Sequence, residues 1–146
     1  MDVLRTRIAP TPSGSLHIGN IYSFYLTYHY ARSIGARILL RIDDLDAERS
    51  RPEYVGSIFR TLAFAGITWD DGPSGPDDHY RSWTQASRRD RYESALSSLR
   101  DRGLLFACSC SRQARAHGPE AYDGRCRGLA LPFEENAWRL RTEVLH

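Results

Sequence analysis

Apolar residues fall into short runs set apart by turn-forming clusters, and the runs alternate between a strand period and a helix period. Residues 3–8 read as a short buried strand, stopped by Pro10 and Pro12, which cannot donate to a ladder. From Ile18 onward, Ile18, Ile21, Tyr22, Tyr25, Leu26 and Tyr30 fall on one helical face, and Gly35 sits where that helix should end. Residues 37–42 form a second apolar strand. Strand, helix and strand in that order predict a βαβ unit with a right-handed crossover.

A second helix opens with Pro52 in its first turn and buries Val55, Ile58, Phe59 and Leu62 before Gly66. Residues 67–69 read as a short strand and residues 70–78, rich in Gly and Pro, as a loop. A third helix is expected over 88–102, with Tyr92, Ala95, Leu96 and Leu99 facing inward and Gly103 as its stop. Residues 104–108 form another apolar strand. The fold class is therefore α/β, a parallel sheet with flanking helices. After Cys108 the character changes: residues 109–136 are polar and turn-rich, with too few large apolar residues for a core of their own. Residues 137–141 alternate like an exposed strand. The expected division is residues 1–107 as the α/β domain and 108–146 as an appended module.

The 146 residues suit one domain, or one with a small module. Twenty basic residues face 18 acidic ones, so charge neither demands nor excludes a nucleic-acid partner. All the basic residues are Arg. Lysine chemistry is excluded within this chain, whereas Arg neutralises phosphate well and often bidentately. The N-terminus has no apolar signal region, and no stretch approaches the ~20 apolar residues of a membrane span. Three cysteines without an export signal point to a reduced, cytoplasmic setting with thiols free for metal.

Between the first strand and first helix runs Arg7-Ile8-Ala9-Pro10-Thr11-Pro12-Ser13-Gly14-Ser15-Leu16-His17-Ile18-Gly19-Asn20. A loop joining a strand to a helix N-terminus is how a parallel sheet offers backbone N–H groups to a phosphate chain. The acidic run Asp43-Asp44-Leu45-Asp46 follows the second strand, at the sheet edge where open α/β folds bind ligands. Its carboxylates suit an amine, a ribose or a metal; Asp44 and Asp46 read equally well as a solvated turn capping the next helix. Cys108 and Cys110 are spaced to chelate one ion, and Cys126 follows across a short loop. Three thiolates and one further donor make a closed tetrahedral structural zinc site. On donor chemistry alone His117 is the ordinary fourth ligand.

Four segments in register resemble the class I aminoacyl-tRNA synthetases of the glutamate and glutamine type. They are the 7–20 stretch, Arg41-Ile42-Asp43-Asp44-Leu45-Asp46, Trp69-Asp70-Asp71-Gly72-Pro73, and Tyr122-Asp123-Gly124-Arg125-Cys126-Arg127. The zinc pattern, with eleven residues between Cys110 and Tyr122 and three between Tyr122 and Cys126, is similar to the glutamyl-Q tRNA(Asp) branch, in which a tyrosine is the fourth ligand. The resemblance thus moves the expected fourth ligand from His117 to Tyr122. Relatives that charge the tRNA 3′ end usually carry a His two residues after the last Cys, where this chain has Gly128.

The resemblance implies a Rossmann-like catalytic domain with a small zinc-binding module leading into the acceptor-binding insertion. It implies ATP-dependent activation of L-glutamate to glutamyl-adenylate, with magnesium accompanying ATP. Transfer to a tRNA would follow, in the glutamyl-Q branch to queuosine in tRNA(Asp). A monomer with no membrane partner is expected. By the same resemblance, His17, Gly19 and Asn20 stabilise charge on the α-phosphate, and Pro12, Ser13 and Gly14 join them around the nucleotide. Arg7 takes a carboxylate of glutamate, Ile8, Ala9, Pro10 and Thr11 line the amino-acid pocket, and Asp43 holds the α-ammonium.

Two departures stand out. Asp43 replaces the usual Glu, as glutaminyl-tRNA synthetases do, and the family's second signature, with its transition-state lysine, is expected beyond residue 146. The competing readings are a binding module for glutamate, adenylate or tRNA with little catalysis, and another nucleotidyltransferase sharing the His-x-Gly loop.

Overall fold

The computed structural model describes residues 3–111 and 124–142. It divides into two compact units, Met1–Arg89 and Asp90–His146. The sequence boundary at 107 and 108 follows composition, whereas this one follows packing.

In the first unit, strand β1 (Arg5–Ile8) pairs in parallel with β2 (Arg37–Leu40), Arg5 opposite Arg37 and Ile8 opposite Leu40. Helix α1 (Ile18–Ser33) connects them, as the βαβ pattern predicts. Helix α2 (Pro52–Phe64) buries Val55, Ile58 and Leu62, with Phe59 partly covered, which matches its sequence face. These residues join Ile8, Ile38, Leu40, Ile42 and Ile67 in one apolar core.

Helix α1 corrects the sequence reading. The apolar face read in its sequence is largely outside: Ile18 is 79% exposed and Tyr22 62%, and Tyr25, Leu26 and Tyr30 are exposed as well. The stripe that packs on the core is Phe24, Tyr28 and Ala31, at i, i+4 and i+7. The helix is apolar on more than one side, so periodicity could not choose between stripes. A sheet of two four-residue strands is wide enough to cover only one of them.

The expected strand at 67–69 is absent as well. Asp70 and Asp71 donate their backbone N–H groups to the Ile38 carbonyl, and Leu40 donates to the Asp71 carbonyl. The Asp70 carboxylate, however, accepts the Ile38 N–H at 2.7 Å. A side chain sits where a ladder carbonyl would be, so only an isolated bridge between Leu39 and Asp71 forms. Gly72 follows at φ +124°, and a Cβ there would collide with the Leu40 carbonyl oxygen. Residues 70–78 end in a short turn, α3 (Pro76–Asp78), that runs into a wider helical turn over His79–Trp83.

The second unit contains most of α4 (Arg89–Asp101), then β3 (Leu105–Cys108) paired antiparallel with β4 (Ala137–Leu140). All four residues of β3 are buried, as its apolar run predicts. Helix α4 again departs from expectation. No residue of it is fully buried; Tyr92, Ala95 and Leu96 are exposed and only Leu99 is half-covered. Among the described residues of this unit, Phe106, Cys108 and Cys126 form one buried cluster, with Cys110 and Leu131 against them.

Candidate nucleotide and metal sites

The chain leaves β1 at Ile8 and turns through Pro10–Gly14 before entering α1 at Ile18. Proline at 10 and 12 removes two N–H donors that the loop would otherwise have to satisfy. The loop is fixed through carbonyls instead: Asp43 donates its N–H to the Pro10 oxygen at 2.9 Å, and Arg51 to the Pro12 oxygen at 3.1 Å. A cavity of about 370 Å³ opens beside it.

Of the residues expected in the site, Ala9, Pro10, Thr11, Ser13, Gly14, His17 and Asn20 line this cavity, together with Ser15, Leu16 and Phe24. Ile8 and Pro12 are fully buried, so their side chains serve the core rather than a ligand. Arg7 lines a different cavity, with Arg5, Arg37 and Asp71, on the strand side of β1. Gly19 borders a third, open cavity along α1 with Ile18 and Tyr22.

His17 is the N-cap of α1. Its Nδ1 accepts the Gly19 N–H at 3.1 Å, and the Asn20 Oδ1 accepts the His17 N–H at 3.3 Å. This reciprocal cap satisfies N–H groups that a helix start leaves without partners. It also fixes the imidazole with Nε2 as its remaining polar atom. Glycine at 19 permits the arrangement, because a Cβ there would lie 3.0 Å from the His17 ring. An anion reaching the Gly19 N–H would compete with that ring, whereas Nε2 can contact it directly.

Asp43 stands at the carboxyl end of β2 and is held by Arg41 in a two-pronged bond, Nε to Oδ1 at 2.6 Å and Nη2 to Oδ2 at 3.0 Å. An incoming ammonium therefore meets a carboxylate already shared with a guanidinium. The i, i+2 spacing of Arg41 and Asp43 at a strand end carried this signal in the sequence. Asp44 does not cap the following helix. It turns inward to His79 and Gln85, residues 35 and 41 positions away that no local pattern announced.

In the second unit the sulfur atoms of Cys108, Cys110 and Cys126 lie within 4.8 Å of one another. Tetrahedral zinc–thiolate geometry places sulfurs ~3.8 Å apart, so one ion fits between them. Cys110 and Cys126 are 3.4 Å apart, and hydrogen bonding to Cys126, then burial, pushes the Cys110 thiol above its ordinary value. Three close thiols are mutually unfavourable as thiolates until a cation arrives. Tyr122 and His117, the two candidates for the fourth ligand, lie outside the described residues.

A parallel βαβ unit with a cavity at the strand-to-helix corner is an open α/β arrangement, in which ligands bind at the carboxyl ends of the strands. The family model for the catalytic domain of class I tRNA synthetases (E and Q) matches residues 3–121, and the chain belongs to that family. It is 40% identical over 137 residues to a glutamate–tRNA ligase of Symbiobacterium thermophilum, covering 86% of this chain and 28% of that protein. It is 41% identical over 143 residues to a glutamyl-Q tRNA(Asp) synthetase of the same organism, covering 90% and 43%. A crystal structure of a glutamate–tRNA synthetase from Elizabethkingia anophelis superposes with a TM-score of 0.68 at 27% identity, over 92% of this chain and 30% of that one. The chain thus spans less than half the length of these relatives. No described helix is long and apolar enough to cross a membrane.

Proposed function

We propose that this chain carries the corner of a glutamyl-type synthetase in which L-glutamate and ATP meet to form glutamyl-adenylate for transfer to a tRNA. The observation that carries the reading is the His17–Asn20 cap at the start of α1, set on the rim of the cavity formed by the Pro10–Gly14 loop. In the reaction, a glutamate carboxylate oxygen bonds to the α-phosphorus of ATP, and pyrophosphate leaves with the bond's electron pair. Charge grows on the α-phosphoryl oxygens as this happens. The positive end of α1 and the His17 Nε2 are groups that stabilise such charge. Asp43, next to the loop, supplies the counter-charge for the α-ammonium; Arg7, which lines the separate cavity along β1, serves as a fork for a carboxylate only for a substrate that reaches from one cavity to the other. Magnesium accompanies ATP as part of the substrate.

Residues 1–107 form the nucleotide- and amino-acid-binding part in this reading, and 108–146 the zinc module and the start of the acceptor-binding insertion. Cys108, Cys110, Cys126 and Tyr122 hold a structural zinc. The spacing of those ligands favours queuosine of tRNA(Asp) as acceptor; charging of a tRNA 3′ end is the second reading, favoured by the match to glutamate–tRNA ligases.

Calorimetric titration of the 146-residue chain with ATP and, separately, with L-glutamate, L-glutamine and L-aspartate tests the proposal. ATP and glutamate should bind, glutamine more weakly, and His17→Ala should weaken ATP about tenfold, the usual scale for one charge-assisted contact. Absence of ATP binding would sink the reading. Glutamate-dependent ATP–pyrophosphate exchange should be weak, since the chain has no lysine to complete the transition-state clamp.

A further inference from the structure

One buried polar cluster lies beside the candidate site and takes no part in it. His79 is 0% exposed, and its Nε2 lies 3.0 Å from the Asp44 Oδ2, itself almost covered. The other oxygen of Asp44 accepts the Gln85 backbone N–H at 2.8 Å. Gln85, also buried, reaches back with its side-chain amide to the Ile42 carbonyl at 3.4 Å. The His79 Nδ1 is buried and has no hydrogen-bond partner among the described residues. With a carboxylate oxygen as its partner, Nε2 is the donor, and among the described residues the ring's hydrogen-bond partner is that carboxylate.

Such a cluster is a costly way to fill space. A buried carboxylate must have both oxygens satisfied, and apolar residues of similar volume are often as stable. What it provides instead is a fixed direction. Asp44 follows Asp43, whose N–H is bonded to the Pro10 carbonyl on the cavity wall. The backbone at 43 and 44 is therefore held from two sides, by the loop on one and by the 79–85 segment on the other. Neither Asp43 nor its Arg41 partner can shift along the sheet edge without breaking one of these bonds.

We propose that Asp44, His79 and Gln85 form a positioning clamp. It sets the Asp43 carboxylate in register with the Pro10–Gly14 loop, so that the ammonium of an α-amino acid is received at a fixed distance from the nucleotide cavity. His79 is a positioning residue: it acts through Asp44 and touches no substrate. The inference rests on the reading of Asp43 as the ammonium partner.

Two variants and two measurements test it. His79→Ala removes the donor to Asp44, whereas His79→Gln returns an N–H donor near the position of Nε2. In His79→Ala, amide hydrogen exchange at Asp43 should rise about tenfold and L-glutamate affinity fall about tenfold, with ATP affinity unchanged. His79→Gln should recover most of both losses. Equal weakening of ATP and glutamate, failure of His79→Gln to rescue, or unchanged glutamate affinity with lost protection would each overturn the clamp. If the unaltered chain binds no glutamate, the functional reading fails. The exchange arm then still decides the clamp, which unchanged Asp43 protection in His79→Ala removes.

Discussion

The two units of this chain solve the problem of holding a site by opposite means. In the first, ten buried apolar residues among those described fix β1, β2 and α2, and the loop that borders the cavity is tied to that frame by backbone carbonyls. In the second, the buried apolar residues among those described are Leu105, Phe106 and Ala107 with Cys108 and Cys126, so two of the candidate ligands are themselves part of the core. A site laid over a core can lose its ligand and keep its shape. A site built into the core is less able to.

The sharpest way to break the comparison is through the metal. Structural zinc contributes about 10–16 kcal/mol of apparent binding energy to small domains, which is folding energy where no other core exists. One zinc per chain is expected in freshly purified protein. Cys126→Ser, or a strong chelator, should abolish protection of the β3 amides and leave those of β2 as they were. Hydrogen exchange read residue by residue checks this; equal loss in both units would erase the distinction drawn between them.

The converse perturbation is smaller and falls on the other unit. Ile58 is fully buried on α2, and Ile58→Ala removes contacts that the surrounding core cannot fully replace. A loss of about 2–5 kcal/mol is expected in denaturant unfolding of the first unit, with the zinc content unchanged.

Backbone geometry gives a third and lesser test. Gly72 takes φ +124°, and Gly72→Ala both strains that conformation and drives a methyl group into the Leu40 carbonyl. A cost of about 1–3 kcal/mol is expected in the first unit alone, again by denaturant unfolding.

These perturbations also mark what the chain's pattern could and could not reveal. The order β1, α1, β2, α2 was legible because Pro10, Gly35 and Gly66 stop three of the runs, the acidic run from Asp43 stops the fourth, and α2 has one apolar stripe. The loop, its neighbouring Asp43 and the cysteine trio were legible as local motifs. Other features were not, the exposed face of α4 among them. The inward face of α1 depends on which side the narrow sheet covers, and that is a tertiary fact. The strand expected at 67–69 was lost to one side chain, Asp70, taking a ladder donor. The Asp44–His79–Gln85 cluster joins residues far apart in sequence, and its members carry no shared local pattern. Motif spacing reports the groups a site uses; it does not report what holds them still.

The smallest expected effect concerns the edge where Asp70 and Asp71 meet β2. Asp70 lies below the usual carboxylate range, first because it accepts the Ile38 N–H and then because Arg32 donates to it at 2.7 Å. Asp71 is lowered chiefly by its two-pronged bond with Arg37. A depressed folded-state value means that the stabilisation is fully present above the unfolded value of about 3.9 and is lost as pH falls through the lower folded one. Both carboxylates are solvent-accessible, so screening keeps the contribution modest. Thermal unfolding followed from pH 7 downward should therefore show a decline in the first unit that begins near pH 4. Asp70→Asn keeps an acceptor for the Ile38 N–H while removing the charge. It should lower stability slightly at neutral pH and flatten that acid limb; an acid limb unchanged by Asp70→Asn would assign the pH dependence to other carboxylates.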